Sequence, residues 1–169
     1  MIGLIISFII GFLVKTVDNA EEHGLKMNRL LKIILGLVYG ILLGWLVSFV
    51  PIPGFWIGII IGLIVSGKID SESHYAGMVG IVLSLLFFGF PAINWWIVLI
   101  TMIICYAEEW VNDEIVDKKK VIGFLAKLLS LRPLLEITAA ILAVIYLDIN
   151  IFLLLLFFDI GYFIAKARR

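Results

Sequence analysis

The sequence holds one cysteine, Cys105, four prolines and two histidines in 169 residues. A single cysteine excludes an internal disulfide, and on an apolar stretch it serves as a small packing residue. His23 and His74 stand beside acids but at no fixed ligand spacing, which gives no zinc-type set. Charge is scarce too: 15% of residues carry it, 13 basic against 13 acidic, for a formal net charge of zero. The basic residues are too few, and too close to apolar stretches, to make a nucleic-acid surface. Also missing are GxSxG, HExxH, a glycine-rich phosphate loop and a GxGD aspartyl motif, since Phe158-Asp159-Ile160-Gly161 runs in the reverse order. No lysine or arginine precedes the first apolar stretch and no small-residue cleavage pattern follows it. The opening residues therefore read as a retained membrane segment.

What the chain has in abundance is apolar surface: 63% hydrophobic residues and a mean hydropathy of +1.19. That composition belongs to polytopic membrane proteins. Seven apolar stretches separate at charged or proline-marked breaks, near 2–14, 33–50, 54–67, 76–90, 94–107, 133–147 and 151–165. Helices satisfy their own backbone groups in lipid, so the expected fold is all-α. The expectation is one transmembrane domain, 1–169, of about seven short spans. Most stretches fall short of the ~20 residues that cross a ~30 Å hydrocarbon core. A thin protein follows, with 76–90 and 94–107 the best pair for a half-membrane hairpin.

Basic residues set the orientation. The turns 51–53, 91–93 and 148–150 contain no lysine or arginine, and all 13 basic residues lie in the other connections and at the C-terminus. The positive-inside rule places the N-terminus outside, the C-terminus in the cytoplasm, and the minimal turns as outer closures of helical hairpins. The expected location is the cell membrane, multi-pass. Trp56, Trp95 and Trp96 then fall at the outer interface and Trp110 at the inner one, while Trp45 lies inside its span. Residues 118–131, with Lys118, Lys119 and Lys120 leading an apolar run, read as a helix on the cytoplasmic membrane surface.

Small residues recur every four positions in the first four stretches: Gly3, Ser7, Gly11; Gly36, Gly40, Gly44; Gly54, Gly58, Gly62, Ser66; Ala76, Gly80, Ser84. Such spacing marks one helix face and close backbone approach, either within the chain or against a second copy or partner membrane helices.

The acids carry the chemical interest. Ten of the 13 lie on the cytoplasmic side, at or beyond the C-terminal ends of odd-numbered spans: Asp18, Glu21, Glu22, Asp70, Glu72, Glu108, Glu109, Asp113, Glu114 and Asp117. Helix dipoles disfavour them there, and something must offset that cost. On a continued helix Glu109, Asp113 and Asp117 share one face, as Asp18 and Glu22 do. Carboxylates without cysteine favour a hard divalent cation, Mg²⁺ or Mn²⁺, with Asp18, Glu22, Glu109, Asp113 and Asp117 as candidate ligands. A lipid phosphate or diphosphate would enter from the bilayer, with Lys15, Lys68 or Arg132 on its oxygens. Two further acids, Glu136 and Asp159, lie at membrane depth and are candidate proton or cation sites.

Asn112-Asp113 matches the start of an Asn-Asp-x-x-Asp-x-x-x-Asp motif, with Val116 and Lys120 at the next two acidic positions. Asp18-x-x-x-Glu22 echoes a second acidic motif with glutamate in place of aspartate. In these residues the chain is similar to the intramembrane prenyltransferases of the UbiA superfamily, although it is much shorter than they are. The resemblance implies Mg²⁺ held by two acidic motifs and, through it, a lipid diphosphate. Two other functions fit the residues: a cation or proton transporter using Asp159 and Glu136, and a non-catalytic membrane subunit packed through its glycine ladders.

Overall fold

In a computed structural model of the chain, residues 1–22, 25–118, 120–124, 129 and 133–167 are described, the side chains of Glu22 and Asp117 apart. The described residues are all-helical, without strands. The helices are α1 (Ile2–Glu22), α2 (Arg29–Phe49), α3 (Pro53–Val65), α4 (Glu72–Phe88), α5 (Trp95–Val111), α6 (Pro133–Ile145) and α7 (Asn150–Lys166). A π-helical turn, Asn112–Asp117, continues α5. Every apolar stretch of the sequence is thus a helix. Among the described residues two helical segments are long and apolar enough to cross a membrane, Ile2–Glu21 and Arg29–Phe49. The expected surface helix at 118–131 lies mostly outside the described residues.

Helix starts follow local chemistry. Asn28, Ser71 and Asn94 each cap the helix they precede, accepting from the backbone N–H of Leu30, His74 and Trp96. Pro53 and Pro133 open α3 and α6, where a missing N–H costs nothing. The end of α1 departs from the expected stretch 2–14, because Lys15 to Glu22 continue the helix and carry Asp18 and Glu21 on it.

The chain packs as two compact units, one formed by Met1–Pro51, Ile69–Ala92 and Leu153–Arg169, the other by Ile52–Lys68 and Ile93–Phe152. In the first, the ladder of α2 lies on α4: a Cβ at Gly40 would fall inside the carbonyl of Gly77, and one at Gly36 inside that of Ser73. α1 and α7 meet in the same way, Gly11 against the Phe158 carbonyl and Gly161 against that of Phe8. Ser7 Oγ and Asn19 Nδ2 donate to the carbonyls of Leu154 and Ala165, at 2.6 and 3.1 Å. In the second unit α3 lies on α5, where a Cβ at Gly58 would stand 2.7 Å from Thr101 Cβ and one at Gly62 2.6 Å from Cys105 Cβ. The glycine ladders are therefore packing faces inside each unit. Cys105 is buried against Gly62, the packing role expected of it.

Candidate functional site

The second unit gathers its polar groups where α3 and α5 end. α3 closes with Gly67 in the left-handed region (φ 74°), where the Lys68 N–H returns to the Leu63 carbonyl at 2.9 Å. That turn presents Lys68 to the acids of α5. Its Nζ lies 2.7 and 2.9 Å from the two carboxylate oxygens of Asp113 and 3.7 Å from Glu109 Oε2. Glu109 is 2% exposed, whereas Lys68 and Asp113 are about one-third and two-fifths open to solvent. The i, i+4 spacing thus does place Glu109 and Asp113 on one face, and both aim at one cationic centre. The π turn begins at Asn112, between them, and wide turns of this kind concentrate at functional positions.

Glu108, next to Glu109, has a different task. Its Oε1 accepts from the backbone N–H groups of Leu134 and Leu135, the latter at 3.2 Å, and so caps the first turn of α6. A carboxylate at a helix N-terminus meets the positive end of the dipole, which offsets the penalty of sitting at the C-terminal end of α5. Further along, Lys118 and Lys120 both bond Glu114. The hydrogen bond from Lys118 and the charges of the two lysines hold the Glu114 carboxyl below its ordinary range.

In the first unit α1 and α4 bring Lys15, Asp18 and His74 together. Asp18 Oδ1 lies 3.0 Å from His74 Nε2 and Oδ2 3.3 Å from Lys15 Nζ. Lys15 is buried, with Nζ 5.1 Å from the centre of the Tyr162 ring. On the other side of the imidazole, Asp70 Oδ1 stands 3.9 Å from Nδ1. His74 occupies the first turn of α4, ahead of the apolar stretch that starts at Ala76. Burial opposes its charged form, but the hydrogen bond that His74 donates to Asp18 and the charges of Asp18, Asp70 and Glu21 outweigh burial and raise its pKa above the ordinary value. Nearby, Glu21 accepts from Lys32 and from Ser73 Oγ, both at 2.5 Å. Arg29 and Glu72 form an exposed two-pronged pair at 2.5 and 2.6 Å, which lowers the Glu72 pKa.

The structure therefore gives each acid cluster a protein partner. Of the candidate metal ligands, Asp18 belongs to the first unit and Glu109 and Asp113 to the second. The side chains of Glu22 and Asp117, and all of Arg132, lie outside the described residues. Among the described residues no three His, Cys, Asp or Glu side chains converge as a metal site. Of the candidate phosphate binders, Lys15 and Lys68 both sit on carboxylates. Glu136 is half-buried in the first turn of α6, and Asp159 is half-buried in α7. Thr138 donates to the Leu134 carbonyl at 2.7 Å.

Three contacts were not legible in the sequence. His74 meets Asp18 across 56 residues, Lys68 meets Asp113 across 45, and Glu108 reaches Leu134 across 26. The only local signals were the acids flanking His74 and the Pro133 that leaves α6 in need of a cap. No protein-family model matches the chain, and no curated protein or solved structure is significantly similar to it. The site is read from its own residues alone.

Proposed function

We propose that the chain is a multi-pass protein of the cell membrane that acts on a lipid phosphate or diphosphate through a divalent cation held by Glu109 and Asp113. The membrane placement is supported by an inside-out distribution of apolar groups. Among the described residues 40 large hydrophobic side chains are exposed, against 20 buried apolar residues. Soluble monomers do not leave so large a share of their big apolar side chains open to water. The one-sided basic residues and the tryptophans at helix ends agree with it.

One observation carries the chemical part: Glu109 and Asp113 converge on a single positive charge, the Lys68 ammonium. A place that holds a monovalent cation between two carboxylates has the charge and ligands of a Mg²⁺ site completed by its substrate. Magnesium is commonly bound by one or two carboxylates, with phosphate oxygens and water filling the octahedron. Binding of Mg²⁺ or Mn²⁺ there would release Lys68, which follows the turn at Gly67, to the phosphate oxygens. The cation would neutralise negative charge developing on a departing phosphate group. Glu108, fixed on the start of α6, keeps the end of α5 in place beside it.

The test is calorimetric titration of Mg²⁺, Mn²⁺ and Ca²⁺ into detergent-purified protein. The reading requires saturable binding, abolished in Asp113→Asn and Glu109→Gln and strengthened in Lys68→Met, where the competing ammonium is gone. Absence of saturable heat, or binding indifferent to all three substitutions, overturns it.

A further inference from the structure

We infer that the apolar surface of this chain is matched to a bilayer much thinner than the usual ~30 Å hydrocarbon core; the inference rests on the membrane placement proposed above. The ruler is α5. Trp96 is 75% exposed at its start and Trp110 52% exposed near its end. The fourteen residues from one to the other rise about 21 Å at 1.5 Å each. Exposed Leu99, Ile100, Ile103 and Tyr106 fill the interval, and no charged residue interrupts it before Glu108. Tryptophan prefers the headgroup level, so two such anchors fix where the interfaces meet this helix.

Other helices repeat the measure. α3 and α6 have 13 residues each, about 20 Å of rise. In α4 the exposed apolar run from Tyr75 to Phe88 is bounded below by the Arg29–Glu72 ion pair and above by Gly89. It too rises about 20 Å. α1 and α2 are equally long at 21 residues, but the apolar part of α1 ends before Lys15, and that of α2 lies between Lys32, which is paired with Glu21, and Phe49. Even that part amounts to only about 26 Å.

Tilt cannot make up the difference. A helix longer than the hydrocarbon core tilts to fit, but tilting a short one only shortens its projection, and the bilayer must thin instead. The capped starts at Asn28, Ser71 and Asn94 prevent the helices from simply winding a further turn backward into the missing thickness. The occupant of the exposed belt is therefore lipid whose acyl chains are short, or a bilayer region thinned to the same extent.

The experiment reconstitutes the full chain into phosphatidylcholine vesicles that differ only in acyl length: dimyristoleoyl, dioleoyl and dierucoyl. Flotation establishes insertion, and the thermal midpoint of each preparation is then followed by circular dichroism. The expected result is a midpoint highest in the dimyristoleoyl vesicles, falling by several degrees toward dierucoyl. A flat series, or a maximum in dioleoyl or dierucoyl vesicles, overturns the thickness match and leaves the membrane placement standing. Failure to float with any vesicle overturns both.

Discussion

At the residue scale, the cost of placing acids at helix C-termini is met by specific partners. Lys68 compensates Asp113 and the buried Glu109, so removing it leaves a carboxylate with too little counter-charge in a dry position. Lys68→Met is expected to destabilise the protein by about 1–3 kcal/mol, below the figure for a wholly buried pair because the lysine is partly solvated. Chemical denaturation in detergent measures it, and Lys68→Arg should recover most of the loss. Glu108→Ala removes a cap and is expected to cost roughly 1 kcal/mol, with Glu108→Gln, which keeps an acceptor oxygen, costing less. His74 brings a pH dependence. Its folded-state pKa is raised, so the folded chain holds the proton more tightly than the unfolded one. The stability it contributes is complete below the ordinary histidine pKa of ~6.5 and is lost as pH rises through the folded value. Thermal midpoints from pH six to nine should decline in the wild type, and His74→Gln should flatten that decline. The sequence showed that the acids needed compensation, and the i, i+4 pattern put Glu109 with Asp113. It did not show the partners, because Lys68 and His74 lie a whole helix or more away in the chain and only packing joins them.

At the scale of elements, the sequence was most informative. All seven apolar stretches are helices, and the four-residue ladders mark the faces on which α2 meets α4, α3 meets α5 and α1 meets α7. Periodicity suffices there because a glycine stripe allows only one side of a helix to approach another backbone. Gly40→Val should separate α2 from α4 and cost several kcal/mol, at or beyond the ~1–3 kcal/mol usual for overpacking, since the neighbour that must yield is backbone. Loss of the folded fraction in size-exclusion chromatography would register it. Boundaries were less legible. α1 overruns its apolar stretch by two turns because Lys15 and Asn19 find partners within the unit. α6 ends in an unexpected way: the N–H groups of Asp148 and Leu147 return to the carbonyls of Ala143 and Val144, a Schellman-type closure. Leu147 occupies its left-handed position, φ 52°, where glycine is the usual residue. Leu147 is 91% exposed and packs on little. Leu147→Gly is therefore expected to raise stability by about 1 kcal/mol, readable as a higher thermal midpoint. The equivalent closure of α3 already has its glycine, Gly67.

At the scale of the whole molecule, the testable statement is sidedness. In a Cys105→Ala background, Ile149→Cys should react with a membrane-impermeant maleimide from outside intact cells, and Lys118→Cys only after the membrane is opened. Labelling of both from one side would contradict the charge-based orientation. Composition and charge placement were enough for this expectation, whereas the function was not written in any complete motif. Two carboxylates from one stretch and a lysine from another make the candidate site, and no spacing rule within a stretch encodes their meeting.

The pairing of α1 with α7 has a bearing on how the protein is made. Ser7, Gly11 and Asn19 all face a helix that is synthesised after every other helix described. Until then α1 holds a hydroxyl, a carboxamide and a bare stripe of backbone with nothing to receive them. The first unit of the chain is thus finished last, after every helix of the second has been synthesised. Chains that stop before residue 150 would leave those groups unmet, so truncation there is expected to leave the first unit incompletely folded and open to proteolysis.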